Sequence, residues 1–418
     1  LAPAAAAFPT GPLGTFVIAN EGDHDQWTQE IKLTGSAFDD KVDYTAGFFY
    51  FHEENDTDFI QAFSAFGLVS YDRLMTNEVD SWAIYGKADW HILDKVTISA
   101  GLRYTDETEE YGIRDNGNPL TPPPAAINSD ALTAAGIPLE ADESLVTPRF
   151  SLEWRPTDDI MLFGSATRGF KSGGWNARSG PASQQTPFDS EIVWSYELGA
   201  RTEWWDNRIR ANITAFYTDV EDFQLPSAFN DPATGAIVFI TQNFADLEVK
   251  GLEFEFLAAP VDNLTLYANI GLMDSEYKNL NPSIIAQQAR CSTMGMNCAE
   301  GIVNETGGIA DPVRAPDYQV AIGGWYEFPL TANLSLTPRV NVTRYGEHNT
   351  STSGQLVAIV DGYTLVSGGL TLDHSAQDWS LSVECRNCTD RDYFVSLLAG
   401  TQYLSDPMTW MARFTKRF

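Results

Sequence analysis

From Ile192 to Thr218 the chain alternates apolar and polar residues over two long runs, broken only by a turn at Asp206 and Asn207. In the first run Ile192, Trp194, Tyr196, Leu198, Ala200, Thr202 and Trp204 share one parity, and Ser195, Glu197, Gly199, Arg201 and Glu203 the other. In the second, Ile209, Ala211, Ile213, Ala215 and Tyr217 stand against Arg210, Asn212, Thr214, Phe216 and Thr218. Successive side chains of a strand point to opposite faces, so a period of two over this length demands a long antiparallel hairpin, oily on one side and polar on the other. Strands of soluble sheets usually stop at roughly five or six residues.

The same unit recurs along the chain. Strands are expected over residues 26–37, 42–53, 78–90, 95–110, 145–154, 160–168, 192–204, 209–218, 237–256, 264–277, 318–328, 334–345, 363–373, 379–386 and 409–418. Val96, Ile98, Ala100, Leu102 and Tyr104 oppose Thr97, Ser99, Gly101, Arg103 and Thr105. Val146, Phe150, Leu152 and Trp154 oppose Thr147, Arg149, Ser151 and Glu153, and Leu334, Leu336, Val340 and Val342 oppose Ser335, Thr337, Arg339 and Asn341. Aromatic residues gather at the strand ends (Trp90, Tyr104, Trp154, Trp204, Tyr217), where amphipathic rings sit at the headgroup level of a membrane. Short connections such as FDDK, HILD and SAQD alternate with long ones, near 54–77, 111–143, 171–189, 278–316, 346–361 and 392–408. Together these features predict an all-β, antiparallel transmembrane β-barrel with short periplasmic turns and long external loops.

Composition agrees. Asp and Glu number 57 against 26 Lys and Arg, a formal net charge of −31, which excludes nucleic-acid binding through phosphates. No run of 18 apolar residues exists for a transmembrane helix, a limit that does not apply to barrel strands. Of the four cysteines, Cys291 and Cys298 bracket the loop CSTMGMNC and are expected to form a disulfide in an oxidising compartment. Cys385 and Cys388 resemble a CxxC pair, but strand parity places them on opposite faces, and no second pair is left for zinc. The opening LAPAAAAFPTGPLG has neither an initiator Met nor a basic leader, and residues 1–25 read as the remnant of an external loop ahead of a partial barrel over 26–418. The count of about fifteen strands is odd where single-chain bacterial barrels are even, and the reading is an N-terminally truncated barrel.

Four segments carry a family resemblance. RGFKSGGWN at 168–176, followed by SYELGART at 195–202 and FYTDVEDFQ at 216–224, resembles the midbarrel signature of TonB-dependent outer-membrane receptors. QEIKLTG at 29–35 with YTAGFFYFHEE at 44–54 resembles an upstream hairpin of that family, and VKGLEFEF at 249–256 its strand with a Gly-x-Glu kink. VECRNCTDRDYF at 383–394, with Cys388 where the family usually has Leu, resembles the closing segment. The terminal strand, with Trp410, Phe414 and Phe418 on one face, looks like the signal read by the outer-membrane barrel assembly machinery; Lys416 departs from the usual aromatic there. The resemblance implies about 22 strands, of which about fifteen would be present. It further implies a plug preceding this chain that contacts the TonB complex, and a Gram-negative outer membrane with its lipid and lipopolysaccharide as surroundings. The implied activity is energised uptake of a small-molecule nutrient: a ferric siderophore, another metal chelate, a cobalamin or a glycan. A plugless passive porin, which would conduct in a planar bilayer, is the competing reading, and a soluble all-β binding protein a more distant one.

No catalytic constellation is present: GxSxG and HExxH are absent, the five histidines are dispersed, and no enzyme activity, metal or cofactor is expected. The acidic runs at 23–25 and 53–58 lack the ligand spacing of a calcium loop and read as solvated loop acid. Trp175 and Asn176, at the root of an external loop, can touch a ligand. Against this, the neighbouring glycines can serve to relieve crowding, with Arg168 and Lys171 pairing lumen carboxylates. Arg103, Arg149, Glu153, Glu197, Arg201 and Arg339 read as polar lining. Loop aromatics are the better ligand candidates: Phe59, Phe63, Phe66 and Tyr71 in the first long loop, and Tyr393, Phe394 and Tyr403 near the last.

Overall fold

The computed structural model describes residues 16–63, 68–120, 127–178, 184–230, 237–294, 298, 301–352, 354–398 and 401–417. Fifteen strands follow one another in one antiparallel sheet, each paired with its chain neighbours. They are β1 (Phe16–Ala37), β2 (Val42–Phe63), β3 (Leu68–Leu93), β4 (Val96–Asp115), β5 (Glu140–Thr157), β6 (Ile160–Lys171), β7 (Glu191–Trp204) and β8 (Ile209–Asn230). The order continues with β9 (Ile237–Ala258), β10 (Leu264–Lys278), β11 (Tyr318–Tyr326), β12 (Leu334–Tyr345), β13 (Tyr363–His374), β14 (Trp379–Arg386) and β15 (Thr409–Lys416). Phe328–Thr331 pairs onto β12 beside this path. Every strand expected from the alternation is found.

The pairing register turns the alternation into two surfaces. Trp90, Ile98, Leu152, Gly164, Leu198, Ala215, Leu252, Leu272 and Tyr318 stand opposite one another across nine successive strands. Trp90, Ile98, Leu152, Leu198, Leu252 and Leu272 of this row are exposed on the outward face: Leu198 is 69% exposed, as Leu102 is 56% in a nearby row. Uncovered leucines in one band are costly in water and favourable in hydrocarbon. Aromatic rings bound the band. Trp90, Trp154 and Trp204 lie by the short turns; at the other rim Trp82 packs 5.5 Å from Tyr104 and Tyr196 lies 6.2 Å from Tyr217. The interval from Trp82 to Trp90 matches the roughly 9–11 residues with which a tilted strand crosses a bilayer.

The short turns need left-handed backbone. Phe38, Asp39 and Asp40 have φ of 58°, 57° and 61°, and Trp205, Asp206 and Asn207 have 58°, 52° and 63°. Asp and Asn tolerate that region; Phe38 and Trp205 do so at a steric cost.

On the inward face aromatic rings occupy the space beside glycines of the adjoining strand: Tyr85 at Gly47, Phe163 at Gly199, Phe216 at Gly251 and Tyr267 at Gly323. A Cβ on Gly251 would sit 2.7 Å from the Phe216 ring and would also press on the Leu272 carbonyl. The glycine of the VKGLEFEF motif is therefore a seat for a ring. Gly251→Ala should destabilise the refolded barrel by about 1–3 kcal/mol in a urea titration, through overpacking. Gly271→Ala, where nothing lies within 4 Å of the new Cβ, should leave the midpoint almost unchanged.

Three sequence expectations need correction. β1 begins at Phe16, so the stretch from there to Asp25 is strand rather than loop. The stretch 54–77 is not a long loop, because β2 continues to Phe63, β3 starts at Leu68, and they pair throughout. The apolar-polar alternation weakens there because neither face meets lipid; the ladder continues through residues (Asp, Asn, Glu) that disfavour strands, supported by buried inward side chains such as Phe59 and Met75. Cys385 and Cys388 are disulfide-bonded, with Cα atoms 5.6 Å apart. β14 stops at Arg386 and Asn387 turns left-handed at φ 47°, bringing Cys388 back over Cys385, so strand parity no longer applies. A second disulfide joins Cys291 and Cys298 at the end of helix α2 (Pro282–Met294). All four thiols are thus bonded. Iodoacetamide should label none of them before reduction and four after it, read by intact mass.

Candidate functional site

Beyond the aromatic rim, β1–β4 continue as a raised wall, and the external segments fold onto its inward side. Phe59, Met75, Tyr111, Ile113, Ile127 and Leu132 form a buried core, against which Tyr71, Ile137, Leu139, Trp175 and Ala177 pack. Leu132 comes from the short helix α1 (Ser129–Ala134), capped by the Asn128 side chain, which accepts from the Ala131 N–H. Three of the expected ligand aromatics therefore meet here. Phe59 is 1% exposed and has no surface to offer a ligand. Tyr71 carries the Arg73 guanidinium 4.2 Å above its ring. Trp175 stacks on Tyr111 at 5.5 Å and donates its indole N–H to the Pro138 carbonyl at 2.7 Å.

Asn176 is likewise occupied. Its amide donates to the carbonyls of Thr186 (3.0 Å) and Thr241 (2.8 Å), and its oxygen accepts from the Thr241 N–H at 2.6 Å. Gln224, at the end of the FYTDVEDFQ motif, donates to the Ser172 carbonyl at 2.7 Å and the Asp189 carbonyl at 3.0 Å. Gly174 and Trp175 pair with Phe188 and Pro187. A Cβ on Gly173 would lie 2.5 Å from the Phe188 carbonyl oxygen, so only glycine permits that approach. The signature segment is a fastening between β6, β8, β9 and the external wall. Lys171 pairs with Glu191 at 3.6 Å, whereas Arg168 donates to the Val146 carbonyl and not to a carboxylate.

The fastening borders a half-open pocket of about 240 Å³, lined by Glu107, Glu109, Glu143, Ser172, Trp175, Phe188, Asp189 and Ser190. Ser172 donates to Glu107 at 2.5 Å and Ser190 donates to Glu143. Burial, reinforced by Glu107, Glu143 and Glu53 against one opposing hydrogen bond from Asn77, raises the Glu109 pKa to about 7. Burial also raises that of Glu143. Four carboxylates beside two aromatic rings suit a cationic group. Because the Glu109 pKa is raised in the folded state, its contribution to stability is full below its ordinary value near 4.5 and is lost as pH rises through about 7. Thermal unfolding from pH 5 to 8 should show that decline, and Glu109→Gln should flatten it. Sequence reading missed this cluster because Glu107 and Glu143 oppose each other only once β5 is known to start at Glu140.

A second recess, about 650 Å³, lies on the inward side of β10–β14. There Arg339 pairs with Glu384, and the Tyr267 hydroxyl donates to Asn341 at 2.8 Å. Arg201 pairs with Glu255 at 3.5 Å and Glu153 with Arg155 at 2.6 Å, the polar lining expected of the lumen face. Tyr393 stacks on Tyr363 at 4.0 Å, while Tyr403, on a small hairpin of Phe394–Leu398 with Thr401–Leu404, is 49% exposed. Trp410 and Phe414 project from the outward face of β15. The Phe63 backbone pairs with Phe16 and Leu68, and its side chain is outside the description; Phe66 and Phe418 lie outside the described residues.

The family model "TonB dependent receptor-like, beta-barrel" matches residues 4–388. The chain belongs to that family. TonB-dependent receptor barrels are receptors and transporters of the Gram-negative outer membrane, which is where the leucine band and aromatic rims of this one reside. The fold is similar to that of the ferric yersiniabactin uptake receptor FyuA from Yersinia pestis, with TM-score 0.71 and 18% identity over 96% of this chain and 56% of that one. It is similar to the siderophore receptor PiuA from Acinetobacter baumannii, with TM-score 0.67 and 15% identity over 94% and 56%. It is also similar to the ferric-catecholate import receptor Fiu from E. coli K12, with TM-score 0.66 and 13% identity over 94% and 54%. The chain spans little more than half the length of these structures.

Proposed function

We propose that this TonB-dependent receptor barrel serves energised uptake of a scarce nutrient, a ferric siderophore or similar metal chelate. The observation that carries the reading is the family match over residues 4–388. The ferric-chelate ligands in the names of FyuA and Fiu support the substrate class. On this reading energy arrives from the TonB complex through a plug domain. Lipid and lipopolysaccharide surround the leucine band, and the barrel assembly machinery reads the last strand through Trp410, Phe414 and Phe418. Ligand contacts fall to Tyr403, the open edge of Trp175 and the carboxylates around Glu109; a negative pocket favours a chelate that presents a cationic group. Phe59 and Asn176 serve the frame of the site.

The test is uptake of iron-55 supplied as a panel of ferric chelates to iron-starved cells with and without the gene. Loss of uptake for one chelate, restored by complementation and abolished without TonB, is expected. Unchanged iron uptake across the panel, with loss of cobalamin or glycan uptake instead, would overturn the substrate class.

A further inference from the structure

On the outward face of β2 and β3, just beyond the aromatic rim, His52 sits in an arrangement that the uptake reading does not use. It stands opposite Asp80, and Glu54 stands opposite Glu78, in the same face of the ladder. The His52 Nδ1 lies 3.1 Å from Asp80 Oδ1, an oxygen that also accepts from the Tyr50 hydroxyl at 2.6 Å. With the proton on Nδ1 donated to Asp80, Nε2 turns its lone pair toward Glu54, whose Oε1 is 3.6 Å away. One ligand atom each from His52, Glu54 and Glu78 lies within 4.8 Å of the others.

We infer that His52, Glu54 and Glu78 form a binding site for a divalent transition metal of the zinc class, with Asp80 as the positioning residue that fixes the His52 tautomer. The donor set is one imidazole and two carboxylates, the mixed nitrogen and oxygen set that zinc accepts and that calcium and magnesium do not favour. A ligating histidine commonly donates its second ring nitrogen to a carboxylate, and Asp80 provides that support before any metal arrives. Two glutamates directly opposite on neighbouring strands repel, and Asp25 and Glu110 extend the same row on either side. A bound cation removes that repulsion and clips β2 to β3. The ligands stand on two paired strands rather than on loops, so their spacing is fixed by the ladder.

The experiment titrates Zn²⁺ into the refolded full chain in detergent micelles by calorimetry, with Ca²⁺ as the hard-cation comparison. One site is expected in the native chain. His52→Ala should weaken it at least about tenfold and Asp80→Asn by about 10–100-fold. Asp56→Asn, an acid of the same rim outside the set, should leave it unchanged. Equal Zn²⁺ affinity in the native chain and His52→Ala would overturn the site, as would Ca²⁺ displacing Zn²⁺ at equal concentration, the mark of a diffuse acidic surface. If His52→Ala does not refold, diethyl pyrocarbonate modification of the native chain reads the same contact by peptide mapping. Protection of His52 by Zn²⁺ is expected, and modification of His52 at a rate unchanged by Zn²⁺ would overturn the site.

Discussion

Phe59→Ala should cost about 3–5 kcal/mol, the range for removing a fully buried phenylalanine ring. The ring is 1% exposed and sits with Met75, Tyr111 and Leu132 beneath the external segments. Its loss leaves a cavity that Trp175 and Tyr71 border, so the damage should be local to the raised wall. The expected signature is an early urea transition, with hydrogen exchange accelerating in residues 54–77 and 111–139 while the membrane band keeps its protection. Tyr403→Ala, at a ring half open to solvent, should change stability by less than about 0.5 kcal/mol. If both substitutions proved mild, the packed cap beneath the external segments would be wrong.

Leu198→Arg should cost about 2–4 kcal/mol, the penalty for a cation on the lipid face of a barrel near the midplane. Leu198 is 69% exposed in the row that runs from Trp90 to Tyr318, so nothing but hydrocarbon receives the charge. Ser195→Arg, three residues away on the inward face beside Thr218, should be tolerated within about 1 kcal/mol, because the new guanidinium faces the polar lining. Folding in lipid vesicles, followed by tryptophan fluorescence in a urea series, separates the two. Equal costs on both faces would mean that the strand register is misassigned.

How much of this was legible in the sequence follows from where lipid imposes a pattern. Within the band, Leu198, Leu252 and Val340 must face out and Arg201, Glu253 and Arg339 must face in, so strand identity, parity and even most boundaries could be read directly. Beyond the rim that constraint ends. β2 past Glu54 and β3 before Glu78 are strands in the structure, yet their acid-rich residues resemble loop because one face meets water and the other only a small core under the external segments, so no lipid pattern marks them. The candidate site was legible only in part for the same reason. Phe59, Tyr71 and Trp175 were singled out as ligand contacts and the structure packs them together instead, because aromatic residues in an external segment look alike whether they bind a ligand or each other. The Glu107–Glu143 contact and the Cys385–Cys388 bond each depend on chain geometry that no single segment encodes: an extended register in one case, a left-handed Asn387 in the other.

The central claim is that one face of this sheet meets lipid and the other a polar interior. Because the four cysteines are tied up in two disulfides, single cysteines can be introduced and spin-labelled without competition. Labels at Leu102, Leu198, Leu252 and Leu370, in chain refolded into vesicles, should relax with dissolved oxygen and ignore a water-soluble nickel chelate. Labels at Ser99, Ser195, Glu253 and Ser367 should show the reverse. A chain in which both sets respond alike to the two reagents would contradict the barrel-wall assignment.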